Sequence, residues 1–227
     1  MLRLERNPAI QIVKGALAKA VSLLRRSRES ITESGRSPEH ARFDTRNWTL
    51  ELLKRLEWRR FEELCAAYFE ALGFTTRISQ RANGSADIGL CAAGAANAAV
   101  LVHGAAWNAY RVGIRPVREL RAAMTSAGAG EGVLVTSGSF TQEAVAFAAK
   151  EKIDLIDGAG LLAKLQALEP AKALALLKFT TQGDFLTPTC PTCSIKMTSR
   201  KSTREGRKFW GCINYPRCKH TFPGTAA

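Results

Sequence analysis

The sequence predicts a mixed α/β domain followed by a small C-terminal module that a metal ion holds together. Helical and strand patterns alternate from Trp48 onwards, and four cysteines are gathered between Cys190 and Cys218. An alternation of this kind implies a mixed sheet flanked by helices. Paired cysteines in a short segment are typical of a module that folds when a metal binds.

Hydrophobic periodicity and turn residues set the order of the elements in the α/β domain. Gly73 suits the C-terminal cap of the first helix, and Asn83-Gly84 suits a turn before the second strand. Ser139 and Gln142 together predict a capping box. The predicted ranges are helix 59–72, strands 74–79, 86–92 and 99–103, helix 117–127, strand 132–136, a helix ending near 150, strand 153–156 and a last helix after 158.

Shifts in composition divide the chain into four parts. Residues 1–45 combine a basic amphipathic helical segment with a polar linker, and residues 46–169 hold the α/β domain. Residues 170–187 are predicted as a helix and a linker, and residues 188–227 as the four-cysteine module. We interpret the N-terminal helix as packed with a solvated basic face; the alternative is an arm that contacts phosphate or a partner.

The charge of the chain favours a polyanionic partner. Lys and Arg number 33 against 20 Asp and Glu, which gives a formal net charge of +13. Such an excess neutralises phosphates and releases counterions, so we expect nucleic acid as the partner. The alternative is a basic surface that serves solubility alone.

Residues 88–110 carry no formal charge and reach the length of a membrane span. Their apolar content is largely alanine, and they include glycines, asparagines and His103, so two strands and a turn fit better. No secretory signal is recognisable at the N-terminus. We therefore expect a cytoplasmic protein with no membrane partner, whose cysteines are reduced unless they bind metal.

Cys190, Cys193, Cys212 and Cys218 have the spacing C-x2-C-x18-C-x5-C. Two pairs of thiolates on tight turns can close a tetrahedral site, so these four residues predict a structural zinc ion. Two disulfides or a chance clustering are the alternatives. The remaining cysteines, Cys65 and Cys91, have no cysteine neighbour and are predicted to be buried core thiols.

Cations and aromatic rings are interleaved with the cysteines and form the predicted DNA-binding surface of the module. Phosphate contacts combined with rings that stack on unpaired bases favour single-stranded DNA. At least one ring is equally well explained by packing in a very small core. The predicted DNA-binding residues are Arg200, Lys201, Arg204, Arg207, Lys208, Phe209, Trp210, Tyr215, Arg217 and Lys219.

The segments Cys190-Pro191-Thr192-Cys193, Phe209-Trp210-Gly211-Cys212 and Tyr215-Pro216-Arg217-Cys218 resemble the C-terminal zinc fingers of bacterial type IA topoisomerases. The resemblance covers about residues 188–222. In that family such fingers bind DNA and do not cut it, which implies a DNA-binding role for the module here.

A second resemblance covers about residues 57–168. The segments Phe61-Glu62-Glu63-Leu64, Asn83-Gly84-Ser85-Ala86-Asp87 and Val135-Thr136-Ser137-Gly138-Ser139-Phe140-Thr141 are similar to the Mrr-type restriction endonuclease family. The resemblance implies a restriction-endonuclease-like α/β fold of the PD-(D/E)xK type. By position, Asp87 corresponds to the metal-binding aspartate of that family, which holds Mg²⁺, and Glu63 to an assisting acid on the first helix.

The chain departs from the family at the next strand, where a Q-x-K is usual. His103 stands at the Gln position and Ala105 at the lysine position. Alanine can neither orient water nor stabilise a phosphorane, and the loss of such a group costs orders of magnitude in rate. Three explanations stay open: the lysine's role has moved to Arg111, Arg115 or Arg118, the domain only binds DNA, or the substitution was engineered.

The sequence thus predicts a DNA-binding protein whose cleavage is impaired or lost. The first alternative is a Mg²⁺-dependent endonuclease that uses Asp87, with His103 as a further ligand and a relocated basic residue, in restriction of foreign or modified DNA. The second is an adaptor whose zinc ribbon contacts another protein. Nothing in the sequence specifies an oligomeric state.

Overall fold

The structure is a computed structural model and describes residues 45–80, 86–91, 98–104, 111–202 and 206–224. The predicted N-terminal helical segment, the turn at 83–84, Ala105 and Arg204 lie outside these residues. Within the described part of the chain, no helix has the length and apolarity needed to cross a membrane.

The described elements follow one another in the order that the sequence patterns predict, with additions. The helices are α1 (Leu50–Arg55), α2 (Trp58–Ala71), α3 (Ile114–Ala127), α4 (Gln142–Lys150), α5 (Gly158–Gln166) and α6 (Pro170–Thr180). The strands are β1 (Thr75–Gln80), β2 (Ala86–Cys91), β3 (Val100–Gly104), β4 (Arg111–Val112), β5 (Glu131–Val135), β6 (Ser139–Phe140), β7 (Ile153–Ile156), β8 (Thr198–Lys201), β9 (Lys208–Gly211) and β10 (Thr221–Pro223).

The central sheet has the strand order β1-β2-β3-β5-β7. Its first three strands are antiparallel neighbours, and β3, β5 and β7 run parallel. This is the mixed sheet that the sequence predicts. The parallel strands are joined through helices, as a parallel crossover requires.

Helices cover both faces of the sheet, and its central strands β2 and β3 are therefore buried on both sides. Val100 and Val102 of β3 face a core cluster built with α1, α2, α5 and α6. Leu101, between them, faces a second cluster that contains Val117 and Leu120 of α3 and residues of α4. The alternation along β3 therefore separates two hydrophobic layers.

The capping box predicted at Ser139 is wrong. Ser139 is extended in β6 and pairs with Arg111 of β4, so the helix cannot begin before this short parallel pair ends. Thr141 is the N-cap of α4 instead, and its side chain accepts a hydrogen bond from the Ala144 amide at 3.2 Å. The predicted end of α2 is confirmed, since Gly73 takes a positive φ of 94°.

Residues 170–187, predicted as a helix and a linker, contribute to the core of the α/β domain. Leu176 and Leu177 of α6 and Phe185 beyond it are buried in the same cluster as α2. Phe185 is 2% exposed. This segment thus fixes the path of the chain up to the C-terminal module.

The C-terminal module is a three-stranded antiparallel sheet in the order β10-β9-β8. Its buried centre consists of Cys190, Met197 and Cys212. A core this small supplies little hydrophobic stabilisation, so the module needs a further constraint to hold its fold.

Candidate zinc finger and nuclease-type site

The four clustered cysteines form one site. The Sγ atoms of Cys190, Cys193, Cys212 and Cys218 all lie within 4.8 Å of one another, and those of Cys190 and Cys218 are 3.7 Å apart. A tetrahedron with zinc–sulfur bonds of about 2.3 Å has edges of about 3.8 Å. The donor set and its spacing therefore fit a structural zinc ion.

Two tight backbone turns bring these thiols together. In the first, the Ser194 amide donates to the Cys190 carbonyl and the Cys190 amide donates to Ile195, each at 2.8 Å. In the second, the Cys212 amide donates to the carbonyl of His220 at 3.1 Å. The His220 ring packs edge-on against Phe222, with centroids 5.3 Å apart. Among the described residues, these four cysteines are the cluster that could hold the ion.

An open groove of about 520 Å³ runs along the module beside the second turn. Tyr215, 61% exposed, forms one wall, and the Arg200 guanidinium lies over its ring at 5.6 Å. Cations and rings thus face one space. The groove is lined by Arg200, Lys201, Ser202, Phe209, Gly211, Cys212, Tyr215, Cys218, Lys219, His220 and Thr221.

The other predicted DNA-binding residues are distributed differently. Trp210 packs against the core of the module, so its ring serves the fold. Arg217 and Lys219 line a second depression with Asn214. Arg207 and Lys208 are exposed.

In the α/β domain, Asp87 on β2 and His103 on β3 stand opposite each other in the antiparallel register. His103 Nδ1 lies 3.2 Å from Asp87 Oδ1, and the two residues are only 7% and 9% exposed. Residues directly opposite on neighbouring strands share one face of the sheet. The structure thus brings these two predicted residues together.

Glu62, which the sequence analysis did not single out, lies at the same end of the sheet. Its Oε1 accepts a hydrogen bond from the Ala86 amide at 3.1 Å, beside Asp87. Its side chain runs over Gly104, where a Cβ would stand 3.3 Å from Glu62 Cγ. Glu62 is therefore an acidic neighbour of the Asp87 site.

Burial raises the pKa of Glu62 from 4.5 to about 8, and the nearby charge of Asp87 adds to the rise. The Ala86 hydrogen bond and the charge of Arg59 oppose it. Desolvation prevails because a carboxylate loses its hydration in this environment. Glu62 is thus held as the neutral acid at neutral pH.

Glu63, the acid predicted to assist, lies on the more exposed side of α2. Its carboxylate is 3.6 Å from the Arg60 guanidinium in an i,i+3 pair. The spacing of hydrophobic residues along the helix indicates which of the two acids, Glu62 or Glu63, is buried. Glu62, Ala66 and Phe69 are spaced i, i+4, i+7 along the buried face, whereas Glu63 falls off it.

The described residues around Asp87 give no support for the predicted Mg²⁺ site. This ion prefers oxygen ligands in octahedral geometry, and here one carboxylate oxygen faces an imidazole nitrogen. Among the described residues, the cysteine cluster is the one gathering of three or more metal-ligand side chains. Two of the three candidate replacement cations also have other contacts, because Arg115 pairs with Glu119 at 2.9 Å and Arg118 lies over Phe147.

Fold and site together define a protein with an α/β domain of nuclease type and a four-cysteine zinc finger. Residues 53–165 match the family model described as restriction endonuclease, the Mrr catalytic domain. Residues 187–225 match the topoisomerase DNA-binding C4 zinc finger. The chain therefore carries a domain of the Mrr-type restriction endonuclease family followed by a topoisomerase-type zinc finger.

Two solved structures are similar to the chain at low identity. The restriction endonuclease MspJI in complex with a 27-mer oligonucleotide is 19% identical, with a TM-score of 0.39 over 75% of this chain and 42% of that one. The DNA modification-dependent restriction endonuclease AspBHI is 17% identical, with a TM-score of 0.41 over 75% of this chain and 48% of its own. The chain spans less than half the length of either. No curated protein matches it.

Proposed function

We propose that this protein binds DNA through its zinc finger, while the Mrr-type domain contacts duplex phosphates and has impaired or lost cleavage. The observation that carries the proposal is the groove of the finger, where cations line one space together with the exposed ring of Tyr215 and the half-buried ring of Phe209. The formal net charge of +13 adds attraction for a polyanion at long range.

The finger suits single-stranded DNA. An exposed ring such as Tyr215 offers a face for an unpaired base, and Arg200 above it can stack or contact phosphate. Lys201 and Lys219 flank the same space. Stacking platforms beside a positive groove are the usual means of holding unpaired strands without strict sequence preference.

The reduced cleavage follows from the chemistry at the α/β site. Ala105 replaces the lysine that would offset charge on the phosphorane, and Asp87 contacts His103 where the family pattern has an amide or acid. Arg115 and Arg118 cannot easily replace the lysine in activating water, because guanidinium groups stay protonated. The domain keeps the fold of a nuclease without its full set of reacting groups.

A salt series tests DNA binding directly. Fluorescence anisotropy with a labelled single strand and its duplex should give binding constants whose logarithm falls linearly with the logarithm of the salt concentration. Replacing both Lys201 and Lys219 with methionine should reduce the single-strand slope by about 1.4, or about 0.7 for each lost phosphate contact. Lys178→Met, on the exposed side of α6, is the matched control.

Affinity that does not change with salt, or an unaltered slope in the double variant, would overturn the proposal. Absent DNA binding together with retained capture of a protein partner by the double variant would instead identify the finger as an adaptor.

A further inference from the structure

The carboxylate of Glu57 joins the zinc finger to the Mrr-type domain. Glu57 is the N-cap of α2 and is only 2% exposed. Its Oε2 accepts the amides of Arg59 at 3.2 Å and Thr189 at 3.1 Å. Its Oε1 accepts the Thr189 hydroxyl at 3.0 Å and the Lys196 ammonium at 3.1 Å. One buried anion therefore binds the start of a helix and two residues of the finger.

Those two residues flank the first turn of the zinc site. Thr189 directly precedes Cys190, and Lys196 follows Cys193 by three positions. Thr189 and Lys196 face each other in an antiparallel β-bridge. Between them in sequence, the Cys190 amide donates to the Ile195 carbonyl and closes the turn. The placement of both Glu57 partners thus depends on the turn that the metal site closes.

Further hydrogen bonds cross the same interface. The Trp58 indole donates to the Thr189 carbonyl at 2.7 Å, and Arg59 Nη2 donates to the Ser194 hydroxyl at 3.1 Å. Trp58 and Arg59 belong to the first turn of α2, which continues to Glu62 beside Asp87. At 1.5 Å per residue, Glu57 and Glu62 are about 8 Å apart along the helix axis.

We propose that zinc binding in the finger and the order of the first turns of α2 are coupled through Glu57. When the first turn of the finger opens, Thr189 and Lys196 leave their places. The buried carboxylate of Glu57 then loses three hydrogen bonds, one of which comes from the Lys196 cation. A buried charge without partners is strongly unfavourable, so the start of α2 must open to let water reach Glu57. The finger is then packed as a fixed part of the Mrr-type domain. Its zinc-bound state determines whether the first turns of α2, the helix that carries Glu62, are ordered.

Hydrogen–deuterium exchange of the full chain, with its zinc bound and after removal by a strong chelator, tests this coupling without DNA. Zinc removal should speed exchange across 188–224. It should also speed exchange of the amides of residues 61–65 by about tenfold or more, while β5 and β7 stay protected. Faster exchange in the finger alone, with residues 61–65 unchanged, would overturn the proposal.

The double variant Thr189→Val, Lys196→Met separates the coupling from zinc binding, because its four cysteines are intact. With zinc content confirmed, exchange at 61–65 should already be fast, and zinc removal should change it little. Lys178→Met is the control and should behave as the wild type. Normal protection of 61–65 in the double variant would contradict the role of Glu57, and the wild-type comparison stands even if this variant folds poorly.

Discussion

Glu62 shows how one position on a helix decides what a carboxyl group does. Its neighbour Glu63 has the same chemistry but faces Arg60 and solvent. Glu62 is 8% exposed and hydrogen-bonded to Ala86. The sequence pattern Phe61-Glu62-Glu63-Leu64 marks the pair, and the structure shows that Glu62 is the acid beside Asp87.

The raised pKa of Glu62 predicts a loss of stability with rising pH. Below about pH 4.5 the group is protonated in both the folded and unfolded states, and stability is at its full value. As pH rises towards 8 the unfolded state releases the proton while the folded state keeps it, so the free energy of unfolding falls. The loss is at most about 4–5 kcal/mol, since one pKa unit corresponds to about 1.4 kcal/mol.

Thermal unfolding of zinc-bound wild type and zinc-bound Glu62→Gln between pH 5 and 8.5 measures this effect, because the pH dependence of zinc binding is common to both proteins. The glutamine variant should lose less stability over the window, because its side chain does not titrate. Glu63→Gln is the matched control and should follow the wild type. Parallel pH curves for wild type and Glu62→Gln would show that Glu62 ionises normally.

At the level of elements, local patterns predict the main strands and helices to within a few residues. The predicted strand 153–156 coincides with β7, and the predicted helix 59–72 differs from α2 by one residue at each end. The short α1 and the β4–β6 pair are not predicted. Both are too short to show a hydrophobic periodicity in the sequence. The strands β4 and β6 form because residues 111–112 and 139–140, which are separated in sequence, pair with each other.

The zinc ligands are readable from sequence because their spacing is local, whereas the roles of the aromatic rings are not. Phe209 and Trp210 are adjacent, yet one lines the groove and the other packs in the core. Alternation along β9 sends successive side chains to opposite faces, and the face that is covered depends on the whole finger. Sequence alone therefore left the choice open.

The exposed ring of Tyr215 leads to a prediction about the finger. Tyr215→Ala should weaken binding of a single-stranded oligonucleotide by about tenfold, because one stacked base contributes about 1–3 kcal/mol. Ile213→Ala, 55% exposed on the same turn, is the control and should bind as the wild type. Equal losses in both variants, measured by anisotropy at fixed salt, would point to a general disturbance of the turn.

At the scale of the whole molecule, the contacts between distant segments are what the sequence could not provide. The resemblance to two families predicts two units, and composition predicts a linker between them. The structure instead places Phe185 in the core and Glu57 against Thr189. Such contacts join positions more than a hundred residues apart, so no local periodicity in the sequence predicts them.

The most direct test of the account uses supercoiled plasmid with Mg²⁺ or Mn²⁺, with binding and nicking followed on the same samples. The wild type should bind in a salt-sensitive way and nick slowly or not at all, while Ala105→Lys, which supplies a lysine where the resemblance to the family predicts one, should nick faster than both the wild type and Asp87→Ala. Wild-type nicking that Asp87→Ala abolishes and that Ala105→Lys does not accelerate would contradict the account, because it would show that the Mrr-type site reaches its full rate without a lysine at position 105.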